Sequence, residues 1–273
     1  MSALAVIPAR YGSTRFPGKP LALLHGKPMI QQVYERVAQA KGIAEVIVAT
    51  DDPRIVQAME RCGGRAVLTS PGARSGTERV AEVARRQAAG VVLNVQGDEP
   101  LVQPEMLEPL VEYLERQTAV PMASLMTRLR DPQEMTNPNV VKVVVDRDGF
   151  ALYFSRAPIP FVRTQDGSRV EGQGSREESV PAPCTLHPAP YWKHIGVYGY
   201  QRHFLLQFPQ LEPTPLEQRE QLEQLRALEH GYRIKLLETT HDTIGVDTPE
   251  DLKRVEAMLQ KAVGSRQTAE TMP

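Results

Sequence analysis

Short apolar runs alternating with longer amphipathic stretches set what this chain can fold into. "LAVIPA" (4–9), "EVIVAT" (45–50), "RAVLTS" (65–70) and "GVVLNVQ" (90–96) read as strands. Helix-like stretches at 29–40, 53–61, 77–88 and 104–116 follow them in turn. Asp52 and Pro53 are suited to the N-cap and first helical position of the second helix. This alternation predicts an α/β fold: a mostly parallel mixed sheet flanked by helices. Right-handed crossovers bring the loops after the strands to one edge, where open α/β sheets bind ligands.

The second half breaks that rhythm. "VPMASLMTRL" (120–129), "VVKVVVD" (140–146) and "FALYFSR" (150–156) are strand-like in close succession, predicting a smaller antiparallel excursion over 120–200. Residues 163–190, polar and rich in Pro and Gly, read as a surface loop or a partly disordered lobe. "YWKHIGVYGYQ" (191–201) is strand-like again, with a helix near 216–229 and a strand near 232–237 after it. A last helix from Pro249 to about Val263 returns the chain to the main fold over 201–263, and 264–273 reads as a frayed tail. The 273 residues suit one domain, with a core large enough to need no disulfide or structural metal.

Charge narrows the partners. Thirty-two basic against 33 acidic residues leave a formal charge of -1, so neither nucleic acid nor an anionic membrane is expected. The short apolar run before Pro8 lacks a basic lead and reads as a strand, not a signal peptide or membrane span. Two cysteines, Cys62 and Cys184, make no disulfide framework, which points to the cytoplasm. The six histidines lack H-E-x-x-H spacing, and no G-x-S-x-G elbow occurs.

One loop carries chemistry of its own. "IPARYGSTRFPGKPL" (7–21) looks like a Walker phosphate loop, but five residues separate Gly12 from Gly18, and Pro20 stands where the Ser/Thr hydroxyl should be. Proline offers Mg²⁺ no hydroxyl and phosphate no N–H, so the Walker reading fails. What remains is Arg10, Arg15 and Lys19 directly after a strand: either a solvated loop or a cradle for a polyanion. Asp98 after Gly97 is either a turn residue or a Mg²⁺ ligand. Asp247 or Thr248 caps the last helix, or Asp247 binds metal. Ser75 or Thr77 caps the helix near 77, and the role of Arg79 is open. His194 and Tyr198 share a strand face, as packed residues or as ligands of one substrate.

The loop closely resembles the opening motif of the cytidylyltransferases that activate eight- and nine-carbon acidic sugars. The resemblance continues in family order through "RSGTERVAEV" (74–83), "NVQGDEPL" (94–101), "NPNVVKVV" (137–144), "ALYFSRAPIP" (151–160), "HIGVYGY" (194–200), "PLEQREQLEQLR" (215–226) and "GVDTPEDL" (245–252). It implies a Rossmann-like nucleotidyltransferase fold with 1–119 as the main nucleotide-binding half, and a homodimer formed through the 120–200 excursion. The implied reaction joins CMP from CTP to the anomeric hydroxyl of an acidic sugar, with Mg²⁺ and release of pyrophosphate.

The later segments are more similar to the branch that uses 3-deoxy-manno-octulosonate (Kdo) for lipopolysaccharide synthesis. Another acidic sugar, such as a sialic acid or an amino-Kdo, or CTP binding without turnover, is the alternative. By the same resemblance, Arg10, Lys19 and Asp98 are catalytic, and Arg10, Arg15, Lys19, Arg74 and Ser75 bind the nucleotide. Gln96, Arg156, His194, Tyr198, Glu223 and Gln224 bind the sugar, and Asp98 and Asp247 hold Mg²⁺. The 163–190 segment is longer than the family pattern leads one to expect, and is read as a lid over the sugar or a lobe away from it.

Overall fold

The computed structural model describes residues 3–12, 15–161 and 191–270. The 163–190 segment, with both of its readings, lies outside the described residues, as does the end of the tail. β1 (Ala3–Ala9) shows why a parallel core forms here. Ala3, Ala5, Ile7 and Ala9 pack into one apolar layer, while Leu4 and Val6 pack into the other. Successive strand residues point to opposite faces, so a strand apolar throughout must be covered on both.

After β1 comes a two-stranded hairpin, β2 (Leu23–Leu24) with β3 (Lys27–Pro28), and then α1 (Met29–Val37). β4 (Ile43–Thr50), α2 (Pro53–Arg61), β5 (Ala66–Leu68), α3 (Gly76–Arg85), β6 (Val91–Asn94) and α4 (Pro104–Arg116) complete the alternating half. Asp52 caps α2 as expected, its carboxylate accepting from the Arg54 N–H at 2.9 Å.

β7 (Met122–Arg128), α5 (Pro132–Thr136), β8 (Lys142–Val145) and β9 (Ala151–Ser155) follow. Then come β10 (Trp192–Gln201), α6 (Arg202–Gln207), α7 (Pro215–Glu220), α8 (Gln224–Glu229), β11 (Ile234–Glu238) and α9 (Pro249–Glu270). The main sheet runs β11-β7-β10-β6-β1-β4-β5. Its neighbours are parallel except at β10, which lies antiparallel between β6 and β7. The antiparallel excursion is the β8–β9 hairpin, which hangs from β10 through β8, whereas β7 and β10 are strands of the main sheet.

Helices α1 and α4 cover one face, with Ile30, Val33, Met106 and Leu110 in its core. Helices α3, α6 and α8 cover the other, with Val80, Phe204 and Leu225. A third cluster joins Leu24 and Met29 to Val255 and Leu259, seating α9 against the β2–β3 hairpin.

Two elements differ most from the sequence reading. The helix near 216–229 is broken at Gln221, which takes φ 53° and turns the chain. Arg226 of α8 reaches back to Glu217 of α7 at 2.8 Å, clasping the corner while Leu222 enters the core. α9 continues past Val263 to Glu270, because no proline interrupts that stretch and only Gly264 weakens it.

Candidate active site

The loops after β1 and β6 and the turn before α9 meet at a cavity of about 430 Å³. It is lined by Arg10, Arg15, Lys19, Gln96, Asp98 and Asp247, with Gly76 and Gly97 in its wall. Backbone geometry makes this convergence possible. The Gly18 N–H donates to the Tyr11 carbonyl at 2.9 Å, closing the basic loop, and Gly18 sits at φ 72°, where a side chain is disfavoured. At Gly97 a Cβ would stand 2.9 Å from the Pro8 carbonyl. Only glycine lets the ends of β1 and β6 abut this closely, and that contact brings Asp98 to Lys19.

The charges in the cavity are interlocked. Lys19 Nζ lies 2.6 Å from Asp98 Oδ2 and 3.3 Å from Asp247 Oδ1, and Arg15 Nη2 lies 3.1 Å from Asp247 Oδ2. Two carboxylates converging on one cationic point form a donor set that fits Mg²⁺, which takes one or two carboxylates and completes its shell with phosphate and water. Among the described residues no group of three or more His, Cys, Asp or Glu gathers into a closed protein cage.

The cap of α9 does not use the Asp247 carboxylate. Thr248 Oγ1 accepts from the Asp251 N–H at 3.2 Å, and the Asp251 carboxylate accepts from the Thr248 N–H at 2.9 Å. That reciprocal pair is the cap of α9. The Asp247 carboxylate is left to the cavity.

A second group gathers on β10. The His194 and Tyr198 rings lie 5.4 Å apart, and Phe154 meets His194 edge-on at 4.9 Å. The strand bulges between Ile195 and Tyr198, where two residues of β10 have no partner on β7, so face parity is kept and both rings stay on one side. Burial pushes His194 down to about 3 and, together with nearby Glu223 and Glu99, raises Tyr198. Both side chains are neutral at physiological pH. Glu223 accepts a hydrogen bond from Thr77 of α3, and the buried Gln224 Nε2 has no partner.

The other expected site residues lie elsewhere. Arg156 donates to the carbonyls of Glu220 (2.7 Å), Pro138 (2.8 Å) and Gln221 (3.3 Å), pinning the α7–α8 corner. Arg74 pairs with Glu78 at 2.7 Å on the surface. Ser75 caps α3 by accepting from the Glu78 N–H at 3.2 Å, just before the cavity-lining Gly76. Arg79 is fully buried, holding Asp51 at 2.8 Å and Thr69, so it ties the ends of β4 and β5 together.

Sequence reasoning missed several charged residues beside the expected ones. Burial and the neighbouring Asp98 push Glu99 up to about 7, and its Oε2 lacks a partner. Lys193 holds Glu134 (3.2 Å) and Asp242 (2.9 Å), anchoring the chain that leads to Asp247. Lys142 donates to the carbonyls of Asn137, Val140 and Arg156 at 3.0, 2.7 and 2.6 Å. The only signal for Glu99 was its place beside Asp98; Lys142 and Lys193 offered none.

Comparison with known proteins gives a consistent result. The family profile described as Cytidylyltransferase matches residues 4–235. A 3-deoxy-manno-octulosonate cytidylyltransferase of Geobacter sulfurreducens is 50% identical over 255 residues, 93% of this chain and 98% of that protein. That of Syntrophotalea carbinolica is 52% identical over 260 residues, 95% of this chain and 99% of that protein. Among solved structures, a CMP:2-keto-3-deoxy-manno-octonic acid synthetase complexed with CTP superposes with TM-score 0.84 at 42% identity, covering 96% of this chain and all of that one. A putative glucose-1-phosphate thymidylyltransferase from Bacillus anthracis shares the fold alone, with TM-score 0.62 at 15% identity over 94% of this chain and 95% of that one.

Proposed function

The chain belongs to the cytidylyltransferase family, and from that premise we propose that it transfers CMP from CTP to the anomeric hydroxyl of Kdo, releasing pyrophosphate. The observation that carries this reading is the set of three cations, Arg10, Arg15 and Lys19, facing two carboxylates in one cavity at the sheet edge. Such a set suits a triphosphate, whose oxygens match the arginine forks and the lysine point charge. Phosphoryl transfer demands little of the protein beyond position and charge, and no side-chain nucleophile is assigned.

In this reading Arg10, Arg15 and Lys19 hold the phosphates, and Asp98 and Asp247 hold Mg²⁺. Mg²⁺ held by these two carboxylates would supply positive charge to the departing pyrophosphate. Arg74 and Ser75, at the start of α3, bind the nucleoside end. Gln96, His194, Tyr198, Glu223 and Gln224 receive the sugar, and Arg156 reaches it once released from the α7–α8 corner. The working unit is a cytoplasmic homodimer whose product feeds lipopolysaccharide assembly; light scattering tests the dimer.

Pyrophosphate release from CTP and Mg²⁺ tests the reaction, comparing Kdo, a sialic acid and no sugar. Release with Kdo alone is expected. Release only with the sialic acid would replace the sugar, and silence in a folded protein that still binds CTP would replace the activity by nucleotide binding.

A further inference from the structure

The β10 bulge leaves a small buried knot that neither the charge pattern nor the sheet requires. Ser124 of β7 is fully buried, and its hydroxyl has three neighbours: His194 Nε2 at 2.9 Å, the Val197 carbonyl at 2.8 Å and the Ile195 carbonyl at 3.2 Å. Both carbonyls belong to the bulge, where β10 slips against β7.

A hydroxyl has one hydrogen to give and two lone pairs to receive. Carbonyl oxygens only accept, so the Ser124 hydrogen goes to a carbonyl, the nearer being that of Val197. A lone pair of Ser124 then faces Nε2, and Nε2 must carry a hydrogen. The other tautomer would spend the hydroxyl hydrogen on Nε2 and leave the Val197 carbonyl, like that of Ile195, facing an oxygen lone pair in a dry site, a loss of one buried hydrogen bond that costs about 1–3 kcal/mol.

With the hydrogen on Nε2 of a neutral ring, Nδ1 holds a lone pair. Among the described residues Nδ1 has no hydrogen-bond partner, and His194 keeps 8% of its surface exposed. A second acceptor, the Glu223 carboxylate, accepts from Thr77 and acts on Tyr198, whose ring neighbours that of His194. An acceptor-rich face is complementary to hydroxyls and repels a carboxylate.

We infer that Ser124 is a positioning residue that fixes His194 as a hydrogen-bond acceptor, and that this face of β10 reads a hydroxyl of the sugar rather than its carboxylate. The contact with substrate rests on the sugar reading above; the tautomer does not.

The test is ¹⁵N NMR of the full chain labelled at histidine, with the His194 signals assigned by their loss in His194→Gln. The expected spectrum shows a neutral ring with Nε2 protonated and Nδ1 bare. A ring protonated on Nδ1, or on both nitrogens at neutral pH, overturns the inference even if Kdo-dependent pyrophosphate release is intact. The expected spectrum without Kdo-dependent release would instead sink the sugar reading, and the hydroxyl contact with it.

Substitution adds a readout that a purely structural role would not move. Ser124→Ala should raise the KM for sugar about tenfold, as the loss of one oriented hydrogen bond does, with the KM for CTP unchanged. Ser124→Thr, which keeps the hydroxyl, should restore most of it. An equal rise in both KM values, or no rescue by threonine in a folded protein, would reduce Ser124 to a packing residue and overturn its positioning role.

Discussion

The cavity at the ends of β1 and β6 and the face of β10 meet at Gly196, where a Cβ would stand 3.1 Å from Glu99 Oε1 and 3.9 Å from Gln96 Cγ. They are built on opposite terms. The cavity works with ionised side chains partly in water, Arg15 being 62% exposed and Asp247 46%. Its groups hold one another in place through ion pairs. The β10 face works with neutral groups out of water, His194 being 8% exposed and Ser124 sealed, each oriented by a specific hydrogen bond. Charge acts over distance and tolerates mobile side chains. Hydroxyl recognition acts only at contact, so its partners must be fixed beforehand, and burial fixes them.

The difference can be broken at either end, and the largest effect belongs to the charged side. Asp247→Asn should remove most Mg²⁺-dependent turnover, lowering kcat/KM on the order of a hundredfold or more, while leaving the melting curve where it was. Full activity in that variant would show that the cavity does not work through its paired carboxylates.

On the dry side the expected effect is a pH dependence. His194 has a folded pKa of about 3, well below the ordinary value of about 6.5 in an unfolded chain. Between those values the unfolded state takes up a proton that the folded state refuses, so stability falls as pH drops through that window. At pH 5 this should cost the native protein about 2 kcal/mol relative to pH 8, and His194→Gln should lack that component. Denaturant melts of both proteins at the two pH values give the comparison; parallel losses would mean that the ring is not held neutral.

The smallest effect separates cap from cavity. Thr248→Ala should lower stability by about 1 kcal/mol and leave the metal dependence of turnover unchanged. A shift in Mg²⁺ requirement would show that the cap and the carboxylate beside it are not independent.

The same contrast explains what the sequence discloses. The strands of the first half, the Asp52 cap and the five charged residues of the cavity carry local signals: apolar runs, a Pro after an Asp, cations beside glycines; Gln96 entered by family resemblance alone. Family resemblance added the order in which they meet. Ser124, Lys142 and Lys193 carry no such signal, because each gains its role from a neighbour far along the chain. Lys142 reads as one charge within an apolar run until the Asn137, Val140 and Arg156 carbonyls close on its amine. The corner at Gln221 is hidden for a related reason: "LEQREQLEQLR" is good helix throughout, and only the route of Leu222 into the core bends it.

The position of β10 has a consequence for how the chain acquires its structure. β5, β4, β1 and β6 form one block of strands and β7 with β11 another, and among the described strands β10 alone is hydrogen-bonded to both within the main path of the sheet. β6 ends at Asn94 and waits for a neighbour that begins at Trp192. Contacts so far apart in sequence are slow to form, and the early block must hold an unpaired edge meanwhile. The strand that ends this wait also carries His194 and Tyr198, so the face that holds both rings comes into being in the same event that joins the sheet.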